Sequence, residues 1–492
     1  MDKGRRIGSF ENRIVHMVGI GGCGMSGAAA MLLKLGAQVS GTDLNTFAAL
    51  PDLVAKGARI TIGHAAKRVR PKTELVVRSA AVPDTNPEIE ESVRRGIPVI
   101  KYAELVGRLM DHHKGIGIAG THGKTTTTAM TAYLFERTGL SPSFIFGADS
   151  PQLGGHSGVG EGPHFIVESC EFDRSFLHFR PHAAAILNIE TDHFDCFGSL
   201  EELTEAFGAF AERVDPTGLV LCHHEDDQTQ KAATAAAASC ETFGFERGAD
   251  WRAVNMSCRR GCYSFDVHRQ GQHFLSTRLN VPGRYNVANA LVAIAMASHH
   301  GAAAPNIAAA LPGFAGVQRR MSIKGEGSGV TIVDDYAHHP TEVRVTLEAA
   351  RRRFEPKRTR VVFQPHQYAR TCHLMDEFAR AFGEADEVII PDIYAAREPG
   401  ARAAEGAAEL ADRIRTYGGR AVYVPDLNDV ATRLLGSAQS GDLVLTMGAG
   451  DVWKVADVLV ERICGPHGRG CAPGPDDLVS ARGTSPVSVP AA

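Results

Sequence analysis

Gly120-Thr121-His122-Gly123-Lys124-Thr125-Thr126 is the stretch of this chain that decides its fold. The apolar residues 115–119 before it predict a buried strand, and residues 127–138 after it predict a helix with one apolar side. A glycine-rich turn between a strand and a helix directs backbone N–H groups and the positive end of the helix dipole at one point. The stretch therefore predicts a binding site for a phosphate chain.

Two side chains of this loop carry the predicted chemistry. Lys124 supplies a cation near the β- and γ-phosphates, and the hydroxyl of Thr125 is a ligand for Mg²⁺. The loop is shorter than the commonest pattern, G-x-x-x-x-G-K-[ST], because Ile118 stands where that pattern has its first glycine. A tight turn without a ligand is the alternative, but Gly-Lys-Thr-Thr directly after a strand favours an ATP site. The predicted ATP contacts in the loop are Gly120, Thr121, His122, Gly123, Lys124, Thr125 and Thr126.

Length and composition are those of a multidomain globular protein. The chain has 492 residues, of which 44% are hydrophobic and 22% charged, and length alone favours two to four domains. The net charge of −4 gives no electrostatic indication of nucleic-acid binding. The first residues lack the apolar stretch of a signal peptide, and no apolar run is long enough to insert into a membrane. The ten cysteines suit a reducing compartment, so a cytoplasmic location is expected.

A second glycine-rich loop lies near the beginning of the chain. It follows a predicted strand at residues 14–18 and carries G-x-G-x-x-G at Gly19, Gly21 and Gly24, with Asp43 closing the next strand. This is the spacing of a dinucleotide fingerprint, but its glycines only permit close approach of a pyrophosphate, so NAD competes with any nucleotide diphosphate. Further predicted strands complete a Rossmann-like domain over residues 1–110, namely 38–41, 59–62, 75–78 and 99–100.

The predicted central domain, residues 111–317, has polar residues after two of its strands. Glu168 ends a strand at 165–167, on the edge where parallel sheets bind ligands, and can share Mg²⁺ with Thr125. A second strand, 183–187, is followed by a polar cluster at 188–195 that contains His193. On its own, His193 is more typical of a hydrogen-bonded loop residue than of a metal ligand. The acidic residues of the cluster are expected to cap the helix that starts near Ser199.

Three other segments of the central domain have distinctive compositions. The glycine-rich residues 154–162 predict a flexible loop, and the alanine-rich residues 232–238 predict a helix. From residue 282 a long apolar helix runs to about 298, with Asn286 and Asn289 on one face. These two amides either hydrogen-bond a base or cap the helix.

A third domain is predicted over residues 318–464. Its strands, at 330–333, 360–363, 387–390 and 443–446, are followed three times by segments rich in His, Arg and Asp, which mark one functional edge. A helix is predicted at 341–352. Beyond it, residues 465–492 are rich in Gly, Pro and Ser and predict a disordered tail.

Six stretches taken together give the chain a family resemblance: residues 19–27, 120–128, 188–195, 334–342, 363–371 and 446–454. From about residue 14 to about 460 it resembles the muramyl ligases of peptidoglycan synthesis. The resemblance implies an α/β fold of three domains: a Rossmann-like UDP-sugar domain, a central P-loop ATPase-type domain, and a C-terminal Rossmann-like domain that closes over the site. It also implies ATP-dependent joining of L-alanine to UDP-N-acetylmuramate through an acyl phosphate, with Mg²⁺, in a monomer or homodimer.

The resemblance also implies roles for individual residues. For the UDP-sugar these are Gly19, Gly21, Gly22, Gly24, Met25, Ser26 and Asp43. For the adenine or its surroundings they are Asn286, Asn289 and Arg319, in addition to the loop. For the metal they are Thr125, Glu168 and His193. For the amino acid they are Tyr336, His338, His366 and Arg370. The predicted catalytic groups are Lys124, His338 and Arg370. His338 is the candidate base for the proton of the amine, and the substrate phosphate is the alternative base.

Two departures from the family pattern bear on the details of substrate recognition. Cys170 stands where many relatives have a carboxylate, and Gln367 stands where many have an arginine. Three alternatives stay open: a ligase that recycles a tripeptide onto the same UDP-sugar, a folylpolyglutamate synthetase-like ligase, and a non-catalytic nucleotide-binding module. The domain that carries Gly19 argues against the second of these. The lone pair Cys258 and Cys262 has no partner pair that would complete a zinc site.

Overall fold

A computed structural model describes residues 10–47, 49–396, 398 and 403–465. Three sheets follow one another along this part of the chain. The contacts divide it into two units: the first contains the first two sheets, up to Arg320, together with Glu348–Arg353, and the second contains the third sheet. Within the described residues, every helix falls short of the length and apolar character that a membrane span requires.

The first sheet is parallel, with its five strands in the order β3-β2-β1-β4-β5. This is the order of the first five strands of a doubly wound Rossmann fold, so the predicted Rossmann-like architecture is confirmed. Its strands are β1 (Ile14–Val18), β2 (Gln38–Asp43), β3 (Arg59–Ile62), β4 (Leu75–Arg78) and β5 (Val99–Lys101). Its helices are α1 (Cys23–Lys34), α2 (Leu50–Ala55), α3 (Pro87–Arg94) and α4 (Tyr102–Met110).

Helix α1 begins five residues before the predicted position at residue 28, inside the glycine-rich loop itself. At Gly24 the helix needs a glycine, because a Cβ atom at this position would lie 2.5 Å from the hydroxyl of Tyr102 on α4. The third glycine of the fingerprint therefore serves close packing within the domain, which its helix propensity alone would not predict.

The second sheet has ten strands, in the order β15-β14-β13-β12-β11-β10-β6-β9-β7-β8. The strands from β13 to β7 in this order are parallel, with β14 and β15 antiparallel at one end and β8 antiparallel at the other. Its strands are β6 (Lys114–Ala119), β7 (Ser143–Ser150), β8 (Gly155–Gly158), β9 (His164–Glu168), β10 (Ala183–Ile186), β11 (Leu219–His223), β12 (Ser239–Gly244), β13 (Trp251–Arg259), β14 (Cys262–Arg269) and β15 (Gln272–Arg278). Its helices are α5 (Lys124–Arg137), α6 (Leu200–Ala211), α7 (Asp227–Ala233), α8 (Arg284–His299) and α9 (Ala304–Ala310).

Two predictions for this domain were wrong. The glycine-rich residues 154–162 contain the edge strand β8 rather than a flexible loop throughout; a Cβ at Gly158 would lie 2.5 Å from the Phe144 ring of the paired strand. The alanine-rich helix ends at Ala233 rather than 238, because the chain must enter β12 at Ser239. Local composition predicted neither outcome, since both depend on the neighbouring strand.

Helices α5 and α8 pack together in the core of this domain. Residues Ala290 to Ala297 of α8 are fully buried, and the apolar ring of Phe135 on α5 is buried with them. Helix α8 confirms the long apolar helix predicted from residue 282 to 298. The hairpins β13–β14 and β14–β15 were not predicted, and Cys262 pairs with Arg259 at the turn between the first two of these strands.

The third sheet has its six strands in the order β16-β17-β21-β18-β19-β20, with β16 antiparallel and the others parallel. Its strands are β16 (Ser322–Gly327), β17 (Val330–Asp335), β18 (Arg358–Phe363), β19 (Glu387–Ile390), β20 (Ala421–Tyr423) and β21 (Asp442–Met447). Its helices are α10 (Pro340–Phe354), α11 (Tyr368–His373), α12 (Met375–Arg380), α13 (Ala403–Thr416), α14 (Leu427–Leu435) and α15 (Trp453–Leu459). The domain boundaries after residues 110, 317 and 464 stay predictions, and the predicted tail lies outside the described residues from 466 onward.

Candidate active site

The glycine-rich loop between β6 and α5 has the backbone conformation that its glycines permit. Gly120 has φ 140° and Gly123 has φ 80°, both in the region that side chains disfavour. Helix α5 starts directly after Gly123, so the first N–H groups of the helix point out of the loop. A Cβ at Gly123 would also lie 2.9 Å from Oδ1 of Asn289. The loop therefore has the backbone conformation that the sequence predicted, and its contact with a phosphate stays a prediction.

Lys124 pairs with a buried carboxylate that the sequence analysis did not assign. Its Nζ lies 2.9 Å from both carboxylate oxygens of Glu171, which is 1% exposed, and donates to the carbonyl oxygen of Thr121 at 3.0 Å. Nζ also donates to the carbonyl oxygen of Gly120. Lys124 thus folds back across its own loop. The available signal was a second carboxylate three residues after Glu168.

The two charges of this pair stabilise each other. Burial by itself would lower the pKa of Lys124, but the neighbouring Glu171 raises it above its usual range. Burial would likewise raise the pKa of Glu171, but Lys124 and then His193 bring it below its usual value. Both groups are therefore charged at neutral pH. The loop therefore contains a buried cation whose charge a protein carboxylate neutralises.

Thr125 and Glu168, predicted as metal ligands, are in direct contact. The Thr125 hydroxyl donates to the Glu168 carboxylate, with its Oγ1 2.9 Å from Oε2 and 3.0 Å from Oε1, and the backbone N–H of Gly147 donates to Oε2 at 2.7 Å. A Cβ at Gly147 would lie 3.1 Å from Oε2 and 3.4 Å from Oγ1, so the glycine leaves space beside these oxygens. A hydroxyl and a carboxylate facing such a space form a donor set that fits Mg²⁺.

His193 belongs to a neighbouring group. Its Nε2 lies 3.4 Å from Oε1 of Glu171, and its backbone is in the left-handed region with φ 53°. The structure thus places His193 beside Glu171, whereas Thr125 contacts Glu168. The expectation that the acidic residues of 188–195 cap the next helix was wrong: Ser199 itself caps α6, with Oγ accepting from the N–H of Glu202 at 3.2 Å. A serine closer to the helix start takes this role.

Both polar atoms of the Asn188 side-chain amide form hydrogen bonds with the backbone of the phosphate loop. Oδ1 accepts from the backbone N–H of His122 at 2.7 Å, and Nδ2 donates to the carbonyl oxygen of His122 at 3.2 Å. The hydroxyl of Thr121 donates to the carbonyl oxygen of Glu190 at 3.1 Å and accepts from its N–H at 3.0 Å. The sequence placed residues 188–195 at a strand end but assigned Asn188 no role. Its importance depends on the pairing of β10 with β6.

Asn286 and Asn289 share one face of α8, as predicted. Asn289 donates to Oδ1 of Asn286 at 3.0 Å, and Asn286 donates to the carbonyl oxygen of Pro282 at 2.7 Å. Asn289 also lies beside the phosphate loop through Gly123. Arg319 is half-buried with φ 57°, at the end of the first unit. Contact of these side chains with adenine stays a prediction.

In the first domain, Asp43 forms a hydrogen bond with the backbone of the other glycine-rich loop. Its Oδ2 accepts from the backbone N–H of Gly21 at 2.8 Å, and Gly19 has φ 78°. Ser26 lies in a chain of contacts with the central domain: its Oγ is 3.1 Å from Nε2 of His156. Met25 is buried, while Gly22 begins the turn into α1. The predicted residues of this site are thus at one loop, and their contact with a UDP-sugar stays a prediction.

The second unit gathers its predicted residues at the ends of β17 and β18. The ring centroids of Tyr336 and His338 are 5.3 Å apart, those of His338 and His366 are 6.0 Å apart, and Nη1 of Arg370 lies 3.1 Å from Nδ1 of His366. Tyr394, which the sequence analysis missed, stacks on His366 at 5.7 Å. The four predicted residues form one cluster, because parallel strands end on the same edge.

The hydrogen bonds of this cluster fix which ring nitrogens carry protons. Nδ1 of His338 is 2.9 Å from the carbonyl oxygen of Tyr336, which only accepts, so Nδ1 carries the proton and the lone pair of the neutral ring is on Nε2. Arg370 only donates, so Nδ1 of His366 accepts and its proton is on Nε2. In these neutral tautomers, Nε2 of His338 carries a lone pair and Nε2 of His366 carries a proton.

Taken together, fold and site define a three-domain α/β nucleotide-binding protein of the phosphate-loop class. Three family profiles match consecutive parts of the chain: "Mur ligase family, catalytic domain" at residues 14–114, "Mur ligase middle domain" at 118–297, and "Mur ligase, glutamate ligase domain" at 319–450. Named relatives agree with these profiles over nearly the whole length. The chain belongs to the Mur ligase family.

Two of these relatives are called UDP-N-acetylmuramate–L-alanine ligase. The protein of Desulforamulus reducens is 40% identical over 455 residues, covering 92% of this chain and 98% of its own. The protein of Salinibacter ruber is 40% identical over 450 residues, covering 91% and 94%. The crystal structure of UDP-N-acetylmuramate–alanine ligase from Thermotoga maritima matches with a TM-score of 0.77 at 30% identity, covering 91% and 98%. A murein peptide ligase from Psychrobacter arcticus, at 24% identity and a TM-score of 0.68, shares the fold.

Proposed function

We propose that this protein uses ATP to ligate L-alanine to the lactyl carboxylate of UDP-N-acetylmuramate, giving UDP-N-acetylmuramoyl-L-alanine, ADP and phosphate. The observation that carries the proposal is the phosphate loop, in which the buried Lys124 lies next to the Thr125–Glu168 pair. The substrates are inferred from the relatives of about 40% identity that are named for this reaction. The reaction belongs to cytoplasmic synthesis of peptidoglycan precursors.

The chemistry explains why ATP is required. A carboxylate does not react with an amine at neutral pH, because the leaving group would be oxide. Attack of the lactyl carboxylate on the γ-phosphorus of ATP breaks the bond to the β-phosphate oxygen, releases ADP, and forms an acyl phosphate. The amine of L-alanine then attacks the acyl carbon, and phosphate leaves from the tetrahedral intermediate.

In the first step, two anions approach each other, so the site must supply positive charge. We assign this role to Lys124, whose Nζ exchanges Glu171 for the γ-phosphoryl oxygens when ATP binds. Thr125 and Glu168 would hold Mg²⁺, which supplies further neutralisation of the phosphate oxygens. His193, beside Glu171, is proposed to assist a second ion. Asn286 and Asn289 are proposed to contact the adenine.

In the second step, a base must take a proton from the attacking amine. His338 is proposed for this role, because the lone pair of its neutral ring is on Nε2. Arg370, which is 3% exposed, and His366 present donors suited to the carboxylate of L-alanine. Tyr336 is proposed to form a wall of the same pocket.

The first glycine-rich loop is proposed to bind the UDP-sugar. Close packing makes its glycines individually testable. An alanine at Gly24 would meet the Tyr102 hydroxyl, whereas an added Cβ at Gly383 has no atom within 4 Å. Gly24→Ala is therefore expected to raise KM for UDP-N-acetylmuramate, and Gly383→Ala, at a position outside the predicted sites, is its control.

The deciding experiment measures phosphate release by the purified protein. Release is expected only when ATP, Mg²⁺, UDP-N-acetylmuramate and L-alanine are all present, with the alanyl product identified by mass spectrometry. A second series replaces L-alanine by glycine, L-serine or the peptide L-alanyl-γ-D-glutamyl-meso-diaminopimelate. A clear preference for the peptide would instead favour the recycling ligase, and release independent of the amino acid would contradict ligation altogether.

A further inference from the structure

A group of histidines lies at the end of the central sheet opposite to the phosphate loop. His182 directly precedes β10, and its backbone N–H donates to the carbonyl oxygen of Gly115 at the beginning of β6. His299 and His300 lie at the C-terminal end of α8. Since the phosphate loop follows the other end of β6, about 20 Å away along this six-residue strand, the group is separate from the candidate active site.

The three rings face one another. Their centroids are 5.0 Å apart for His299 and His300, 5.7 Å for His182 and His300, and 6.0 Å for His182 and His299. One ring nitrogen of each lies within 4.8 Å of those of the other two. His299 is exposed and the other two are half-buried, so that water reaches the group from one side.

Two of these rings each have one nitrogen that lacks a hydrogen bond. Among the described residues, Nδ1 of His182 and Nε2 of His300 are buried and have no hydrogen-bond partner. A buried ring nitrogen without a partner is unfavourable, and such groups call for an unobserved water or ion. Burial, and then the neighbouring His164 and His299, lower the pKa of His300 to about 3, so this ring is neutral at pH 7. Neutral imidazole is the form that binds metal ions.

We propose that His182, His299 and His300 form a binding site for a late divalent transition-metal ion, with Zn²⁺ as its representative. Three imidazole nitrogens and one water molecule make a common tetrahedral zinc environment, with each Zn–N distance about 2.0–2.1 Å. Ligand nitrogens at that distance are about 3.4 Å from one another, so shifts of about 1 Å bring these rings into position. The exposed side next to His299 admits the ion and the water.

Neighbouring charges set limits on this site. The positive charge of Lys114 disfavours protonation of His299 and His300, and Arg269 does the same for His299, whereas Glu241 acts in the opposite direction. These two cations reduce the affinity of the site for every metal ion. Imidazole in addition binds a hard ion such as Mg²⁺ poorly. The site is therefore expected to select Zn²⁺, Co²⁺ or Ni²⁺ over Mg²⁺.

The test is equilibrium dialysis of the full chain against Zn²⁺ with Mg²⁺ in large excess, followed by metal analysis. We expect the wild type to bind one Zn²⁺ per chain and the double variant His299→Gln/His300→Gln to bind none. The matched control is His268→Gln/His273→Gln, a pair from the hairpin β14–β15 with ring centroids 6.1 Å apart, which is expected to retain it. The single variant His182→Gln provides a second test should the double variant fold poorly.

Co²⁺ distinguishes histidine from cysteine ligands, which matters because Cys240 and Cys258 are exposed free thiols and thiolates are zinc ligands in general. The wild-type Co²⁺ complex is expected to show tetrahedral d–d bands without thiolate charge-transfer absorption, and Zn²⁺ is expected to raise Tm of wild type but not of His182→Gln. Unchanged zinc stoichiometry in both cluster variants, or thiolate bands on Co²⁺ binding, would overturn the proposal. None of these readouts depends on turnover, so they are independent of the proposed ligase reaction.

Discussion

The two ends of the central sheet bury titratable side chains in opposite ways. At the phosphate-loop end, Lys124 and Glu171 are both charged, and each stabilises the other. At the other end, His182, His299 and His300 are gathered without a carboxylate among them, and burial lowers the pKa values of His299 and His300. Burial therefore preserves charge where an opposite charge is in contact, and removes it where only like groups are present. The first arrangement suits a polyanionic ligand, and the second suits a metal ion.

The largest expected effect is on catalysis at the phosphate-loop end. Lys124→Ala removes the cation that we place at the γ-phosphoryl group, so kcat is expected to fall by about 10³-fold or more, as for other lost transition-state contacts. Steady-state phosphate release measures this. Lys34→Ala, which removes an exposed lysine paired with Glu161, is the control and should keep wild-type turnover. A Lys124→Ala enzyme with more than a tenth of wild-type kcat would contradict the assignment.

The next effect is on stability at the same end. Glu171→Gln leaves the buried charge of Lys124 without its partner and is expected to cost about 3 kcal/mol in the free energy of unfolding at pH 7. Because the folded pKa of Glu171 lies below its ordinary 4.5, its contribution is present above that value and is lost as the pH falls through the folded pKa. Urea unfolding from pH 7 to pH 3 should therefore show wild type and variant converging in acid.

The double variant Lys124→Ala/Glu171→Gln sharpens this result. It removes both charges, so it should be more stable than either single variant while staying inactive. Additive losses of stability would mean that the two side chains do not interact energetically, contrary to the 2.9 Å contact.

The histidine end is expected to respond to acid more gently. The pKa of His300 is about 3 in the folded protein, against an ordinary 6.5, so its neutral form contributes fully above 6.5 and that contribution declines as the pH falls toward 3. Between pH 7 and pH 5, in EDTA, the unfolding free energy should fall by about 2 kcal/mol because of this residue. His300→Gln should lack this part of the decline. An identical pH profile for the two proteins would show that His300 titrates normally in the fold.

The smallest predicted effect concerns the space beside Glu168. Gly147→Ala places a Cβ 3.1 Å from Oε2 of Glu168, so the Mg²⁺ concentration for half-maximal rate should rise several-fold while turnover at saturating Mg²⁺ changes little. Gly383→Ala, at a position with no atom within 4 Å of the added Cβ, is the control. An unchanged Mg²⁺ requirement in Gly147→Ala would count against Thr125 and Glu168 as ligands.

Much of this protein could be predicted from local sequence patterns. The glycine-rich loops at Gly19 and Gly120 each follow a strand and lead into a helix, and both glycines have the positive φ that favours glycine at such turns. Alternation of apolar strands and helices predicted the α/β class, and the polar strand ends predicted the cluster of His338, His366 and Arg370. Each loop, each apolar segment and each polar strand end is itself a short stretch of consecutive residues.

Long-range partners were decided only by the tertiary structure. The sequence predicted a role for Lys124 but not its contact with Glu171. It also predicted a polar cluster at residues 188–195 but not the hydrogen bonds of Asn188 to the phosphate loop. The strand β8 and the early end of α7 likewise depend on neighbouring strands. His182 and His300, more than 100 residues apart in the sequence, meet only because β10 and α8 reach the same end of the sheet. Sequence patterns report what the backbone can do locally, whereas the charge state and the partners of a buried side chain depend on residues that only the folded chain brings together.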